Sequence, residues 1–222
     1  MKIKHFLFSV WLLLAFSACK NEGTTKLLYQ GHASFRLTAK NGTVLYIDPY
    51  AKEGYDLPAD IILVTHGHND HNKVELVTQK KNGVVITNDE AQKGGKYNTF
   101  NIKGIKIEAV EAYMGNHHRS IGVGYVITVD GIKLYHTGDS ALTDQMKTLP
   151  EKKLDYALVY CGGVPETASG WAEIIGAKHN IPMHHSSQPG VWFDKNIADR
   201  FAAPGRLIVE PGEEIELIQN KD

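Results

Sequence analysis

From residue 27 onward, apolar positions come in short runs broken by glycine, proline and polar clusters, a pattern of many short strands rather than of long helices. Residues 27–29, 34–38 and 43–47 read as strands, and Lys40-Asn41-Gly42 turns the last two into a hairpin. Beyond Asp48-Pro49 the spacing alternates, with a strand over 61–64, a helix over 72–81 and a strand over 84–87. Strands over 102–110, 123–129 and 132–135 follow, the last two joined by a tight turn at Asp130-Gly131. Strand, helix, strand alternation points to the α/β class. Further on, Ala168, Trp171, Ala172 and Ile175 recur at i, i+3, i+4 and i+7, which puts them on one helical face and Trp171 in the core. A second helix over 194–203 starts at Asp194 as N-cap and stops at Pro204-Gly205. Residues 207–209 and 214–217 give two closing strands around Pro211-Gly212.

The first residues follow a different pattern. Lys2 and Lys4 precede an apolar stretch over 6–16 that ends in Ser17-Ala18-Cys19, which reads as a secretory signal peptide over 1–18. Small residues before a cysteine resemble a bacterial lipoprotein cleavage site, so Cys19 is the expected lipidation site, 19–26 a lipidated tether and 27–222 the folded domain. Plain secretion with cleavage near Ala18 is the alternative. Both place the mature protein outside the cytoplasm, in the periplasm or at the cell surface, with the lipid at Cys19 as its membrane contact. The 222 residues, 42% hydrophobic and 22% charged, suit one globular domain. A net charge of -1 with no long Lys/Arg run argues against a nucleic-acid partner. Cys161 is the one other cysteine, so once Cys19 is lipidated no intrachain disulfide forms, and stability rests on the core and on bound metal. At the end of the apolar run 156–160, Cys161 is expected to be a small buried residue.

The candidate chemistry is concentrated in Thr65-His66-Gly67-His68-Asn69-Asp70-His71, directly after an apolar run. Imidazole nitrogen and carboxylate oxygen suit a borderline divalent cation such as zinc. A helix would point His66 and His68 to different faces, whereas a strand that empties into a loop of small residues sends them to one side. Two later candidates, Asp139 after the run 132–135 and His184 after 181–183, also follow strand ends. Groups at the carboxyl edge of an α/β sheet converge on one site without strain in the strands.

This pattern resembles the metallo-β-lactamase-fold hydrolases, and specifically their lactonase-like branch, which includes ascorbate-6-phosphate lactonase. The resemblance covers about Leu27 to Leu217 and is carried by Gly31-His32-Ala33-Ser34-Phe35, Tyr46-Ile47-Asp48-Pro49, the His-x-His-x-Asp-His cluster, Gly122-Val123-Gly124-Tyr125, Tyr135-His136-Thr137-Gly138-Asp139-Ser140 and Ile181-Pro182-Met183-His184, in that order. It implies a four-layer αββα sandwich. It also implies two divalent metal ions, zinc first, with manganese or iron as alternatives. His66, His68 and His117 or His118, with His117 preferred, would hold one ion, and Asp70, His71 and His184 the other, with Asp139 bridging.

Asp48 is either an acceptor for a ligand histidine or a turn former, and His32, His136 and His179 are expected to be structural, the last at a helix end. His118, Arg119 and His185 are candidate substrate contacts. By the same resemblance, a metal-bridging hydroxide at ordinary pH attacks the ester, lactone or phosphodiester bond of a small-molecule substrate, with Asp70 as the catalytic proton carrier. A non-catalytic metal-binding lipoprotein and a mononuclear iron dioxygenase are the alternatives.

Overall fold

The computed structural model describes residues 23–113 and 121–220. The proposed signal peptide and Cys19 lie outside these residues, as do His117, His118 and Arg119.

In chain order the strands are β1 (Lys26–Gly31), β2 (Ser34–Thr38), β3 (Val44–Ile47), β4 (Ala59–Leu63), β5 (Gln79–Ile86), β6 (Gln92–Lys93), β7 (Lys96–Tyr97), β8 (Thr99–Ile102), β9 (Ile105–Glu111), β10 (Val123–Val129), β11 (Ile132–His136), β12 (Tyr156–Tyr160), β13 (His179–Met183) and β14 (Glu214–Glu216). The helices are α1 (Asn88–Ala91), α2 (Pro165–Ile175) and α3 (Lys195–Arg200). One six-stranded sheet runs β14-β1-β2-β3-β4-β5 and a second runs β13-β12-β11-β10-β9-β8. Both change from antiparallel to parallel pairing along their length. In the first, β1 to β3 pair antiparallel and β3 to β5 parallel. In the second, β8 to β11 pair antiparallel and β11 to β13 parallel. Asp130 and Gly131, both at positive φ (50° and 83°), make the two-residue turn between β10 and β11, as the Asp-Gly signal predicts.

The principal core lies between the sheets and follows the two-residue period of the strands. Leu27, Tyr29, Phe35, Leu37, Leu45, Ile47, Ile61 and Leu63 meet Ile105, Ile107, Tyr125, Ile127, Leu158, Ile181 and Met183. Each fully buried aliphatic side chain in this layer stabilises by roughly 1.5–3 kcal/mol relative to exposure. On the outer face of the second sheet, Val126, Tyr135, Ala157, Val159 and Cys161 are covered by α2, by α3 and by Met146 and Leu149 of a 3₁₀ segment, Gln145–Lys152. Cys161 is fully buried at the end of β12, as expected. Asp194 caps α3 by accepting from Asn196 N and Ile197 N.

The outer face of the first sheet departs from the sequence expectation. The stretch 72–81 is not a helix; it forms one 3₁₀ turn, Val74–Leu76, and then joins β5. β5 lies against β4 across a bulge, with Ala59 opposite Gln79 and Ile61 already opposite Val84. Gly83 makes the approach possible, since a Cβ there would lie 2.9 Å from the Ala59 carbonyl oxygen. The face bearing Val44, Tyr46 and Ile62 is therefore covered by Tyr55, Leu57, Val74 and Val77, and this layer of the sandwich is nearly free of helix.

Residues 207–209 also fail to form a strand. The segment starts parallel to β13, where Asn180 N donates to Gly205 O and Leu207 N donates to Asn180 O. The next donor on that edge would be residue 182, which is proline and has no N–H. His179 opens β13 rather than closing a helix, and its ring stacks on Tyr156.

Candidate metal centre

The parallel strands bring their carboxyl ends to one edge of the sandwich. Asp48 follows β3, Thr65 to His71 follow β4, Asp139 follows β11 and His184 follows β13, while His32 occupies the β1–β2 turn. The sheets are joined here by Val123 N donating to Thr65 O (2.9 Å) and His184 N donating to His32 O (2.7 Å). His32, Asp48 and His184 all sit at left-handed φ (58°, 46° and 50°). Side-chain-bearing residues rarely adopt this region, and three of them within one cluster show that the surrounding bonds fix the backbone there.

Asp48 organises the interior of the site. Its buried carboxylate accepts from Thr65 N (2.7 Å), Thr65 Oγ1 (2.6 Å) and His71 Nδ1 (2.7 Å). Because Thr65 Oγ1 gives its proton to Asp48, it accepts from His66 Nδ1 at 3.1 Å. In their neutral forms both rings are thereby set as Nδ1–H tautomers, so Nε2 is the atom that turns a lone pair toward the site once any proton on it is lost. Burial alone would raise the Asp48 pKa, but the His71, His136 and His66 rings outweigh it and hold the carboxyl below its ordinary value.

The donor atoms form two overlapping groups, each with all its atoms within 4.8 Å of one another. One is His32, Asp70, His71 and His184, and the other is His66, His71 and Asp139. Asp139 Oδ1 faces His71 Nε2 at 3.3 Å and its Oδ2 faces His184 Nε2 at 3.2 Å. Asp70 Oδ2 lies 3.2 Å from His32 Nε2 and 3.7 Å from His184 Nε2. Among the described residues, His71 Nε2, His184 Nε2 and Asp139 Oδ1 are buried with no hydrogen-bond partner, although they point at one another. Buried polar atoms are costly unless satisfied, and nitrogen and oxygen donors aimed at a common point match the ligand chemistry of a borderline divalent cation.

The electrostatics agree with that geometry. Burial opposes ionisation of Asp139, yet the His71 and His184 imidazoles hold it well below the carboxylate range. Asp70 is likewise lowered, against its burial, by His184, His32 and His71. Burial disfavours a charged His71, but Asp139 and Asp48 push its pKa well above 6.5, and Asp139 and Asp70 raise that of His184. His66, buried and beside His71, is pushed down to about 4.

Of the residues picked out by sequence, His66, Asp70, His71, Asp139 and His184 therefore come together. His68 is exposed, with its ring 4.6 Å from that of His66, and stands outside both converging groups. His185 is buried beside His184 with its ring edge-on to Phe193, also outside them. His136 donates from Nε2 to Ala33 O and accepts Gly138 N at Nδ1, which leaves no atom for a ligand and matches its expected structural role.

His32, structural by its sequence position, is buried, but its Nε2 contacts Asp70 and its ring lies 3.6 Å from that of His184, so it belongs with the converging donors. Its place in the β1–β2 turn, at the same edge as the other strand ends, is the signal that marks it.

Comparison with known proteins places this arrangement. Residues 26–184 match the beta-lactamase superfamily domain. The chain is 30% identical to a UPF0173 metal-dependent hydrolase of Thermococcus onnurineus, across 86% of this chain and 99% of that protein. It is 32% identical to another from Methanoculleus marisnigri, across 86% and 96%. In fold it is similar to Igni18, a metallo hydrolase from Ignicoccus hospitalis, with a TM-score of 0.68, 22% identity, and 89% and 100% of the two chains covered. With the fold, the converging donors and this similarity along most of its length, the chain belongs to the UPF0173 metal-dependent hydrolase family of the metallo-β-lactamase superfamily.

Proposed function

We propose that the cluster holds two divalent cations, zinc first and manganese or iron as alternatives, and that the protein hydrolyses an ester, lactone or phosphodiester bond of a small molecule, in the manner of the lactonase-like branch. The observation that carries this reading is the division of the donors into two groups that share His71, in place of one closed set. His66, His68 and His117 (or His118) would hold one cation, Asp70, His71 and His184 the other, and Asp139 both. Bound there, the ions supply Lewis acidity and lower the pKa of water toward neutrality.

The chain's own residues do the remaining work. Asp48 and Thr65 fix the tautomers of His66 and His71. Asp70, about a third exposed, can take a proton from the attacking water and pass it to the leaving group. His118, Arg119 and His185 are the proposed substrate contacts, with the Arg119 guanidinium suited to an anionic group. We place the reaction outside the cytoplasm, in the periplasm or at the cell surface, with the protein held to the membrane by lipid on Cys19.

The test is metal content per chain, measured together with turnover of a chromogenic ester and a chromogenic phosphodiester before and after chelation. Two metals per chain and chelator-sensitive turnover are expected. One metal, or turnover unaffected by chelation, would overturn the binuclear mechanism.

A further inference from the structure

His32 differs from the two other histidines of its group in how its ring nitrogens are used. His71 Nε2 and His184 Nε2 are buried with no hydrogen-bond partner among the described residues, as suits atoms kept for a cation, whereas His32 Nε2 already has one, Asp70 Oδ2 at 3.2 Å. The direction of that bond follows from the opposite side of the ring. His32 Nδ1 is buried and has no partner among the described residues, so a proton there would face no acceptor and would leave the Nε2 lone pair against a carboxylate. The proton therefore belongs on Nε2, and Asp70 accepts it. This is the reverse of the neutral His66 and His71 rings, which carry theirs on Nδ1.

The His32 ring is fixed from several sides. Its backbone lies at φ 58°, its N–H donates to Trp192 O at 2.7 Å, and its carbonyl accepts from His184 N at 2.7 Å and from the Tyr29 hydroxyl at 3.0 Å. The ring packs 3.6 Å from that of His184 and 5.2 Å from that of Tyr50. Asp70, in contrast, is about a third exposed, on the loop after β4. Its Oδ2 is nonetheless the oxygen that faces three Nε2 atoms, His32 at 3.2 Å, His184 at 3.7 Å and His71 at 4.0 Å. A side chain this exposed turns about its own bonds unless a fixed neighbour holds it, and a ligand oriented in advance costs less to bind through.

We propose that His32 is a positioning residue for Asp70 and not itself a ligand: its Nε2–H holds Asp70 Oδ2 toward the second cation, beside His71 and His184. That Asp70 meets a cation rests on the two-metal reading; the direction of the hydrogen bond does not.

The test compares His32→Asn and His32→Gln with wild type. The Asn amide falls where the ring carries Nδ1 and stops short of Asp70, while the Gln amide extends to the place of Nε2 and restores a donor. Backbone preference runs the other way, because Asn tolerates a φ of 58° better than Gln does. Zinc affinity, read by competition with a chromophoric chelator, should fall about 10–100-fold for the weaker-bound equivalent in His32→Asn and stay within about threefold of wild type in His32→Gln. The melting temperature should be the higher in His32→Asn, so affinity and stability rank the two variants in opposite orders. Proton–nitrogen correlation spectra of histidine-labelled wild type should show His32, identified by the signal missing from both variants, as the Nε2–H tautomer before and after zinc is added. A change of that signal to Nδ1–H on zinc binding would make His32 a ligand, and zinc affinity in His32→Gln no higher than in His32→Asn would leave it a purely structural part; either overturns the proposal. If wild type takes up a single zinc per chain, the binuclear mechanism fails, and the His32 assignment is still decided by the tautomer and by the order of the two variants for that one ion.

Discussion

His71 Nδ1 lies 2.7 Å from Asp48 Oδ2, and both side chains are fully buried. The contact fixes which nitrogen of His71 faces the cluster, and Asp48 reaches His66 as well through Thr65. Asp48→Asn keeps a residue that tolerates the left-handed backbone, but it removes one acceptor oxygen from a group that takes three hydrogen bonds. Metal affinity should fall about 10–100-fold, read by competition with a chromophoric chelator, while the far-UV circular dichroism is retained. Unchanged affinity would mean that the ring orientations are set elsewhere.

Metal uptake should release protons. Against their burial, Asp139, together with Asp48 or Asp70, raises the pKa values of His71 and His184 above 6.5, so near neutrality a cation competes with protons on these rings. His66, pushed down to about 4, is already neutral there. Zinc added at pH 7 in weak buffer should acidify the solution, and affinity should rise with pH and be lost as the pH falls. If uptake is proton-neutral, these two rings do not bind the cation.

Asp139→Ala and His68→Ala should each abolish hydrolysis and lower bound metal, measured by elemental analysis. Cys161→Ala should do neither. Burial pushes the Cys161 thiol up to about 12, so it carries no thiolate at neutral pH and should resist iodoacetamide in the folded protein. His68 is the sharper test, because it is exposed and outside the converging donors. Full activity of His68→Ala would remove it from the ligand set.

The anchor at Cys19 is tested by fractionation. Wild-type protein should sediment with membranes, and Cys19→Ser should move it to the soluble fraction with its metal content intact. A wild-type protein found soluble after secretion would favour cleavage near Ala18 without lipid.

The sequence made the site legible where chemistry and local order coincide. His66, Asp70 and His71 share one loop after β4, and Asp139 and His184 close apolar runs, so each could be read without knowing its neighbours. His32 could not be read in this way, because its partner Asp70 is 38 residues away, and the sheet from β1 through β4 has to form before the two meet. The false helix over 72–81 has the same origin. Val74 and Val77 have helical spacing, but pairing of β5 with β4 is a long-range interaction that overrides it, and the Gly83 contact with Ala59 becomes visible only when both strands are in place. Likewise the closing strand over 207–209 ended at Pro182, a residue remote in sequence.

Asp60 gives a stability test far from the chemistry. It lies near the start of β4, at the opposite end from the cluster, and is buried. Its carboxylate accepts from Val44 N at 2.9 Å, pairs with Lys80 at 2.6 Å and is bonded by Lys103, which follows β8 of the other sheet. Burial opposes ionisation, but the Lys103 and Lys80 ammonium groups outweigh it and depress the pKa from its ordinary 3.8. A carboxyl whose folded pKa is depressed contributes stability that is fully present above its unfolded value and is lost as the pH falls through its folded one. Asp60→Ala should therefore cost about 1–3 kcal/mol at pH 7 in urea titration, and the gap from wild type should narrow below pH ~4. Metal content should not change, because the lost ties lie at the end of β4 away from the donors. A gap that is constant with pH would assign the cost to packing and not to the ion pairs.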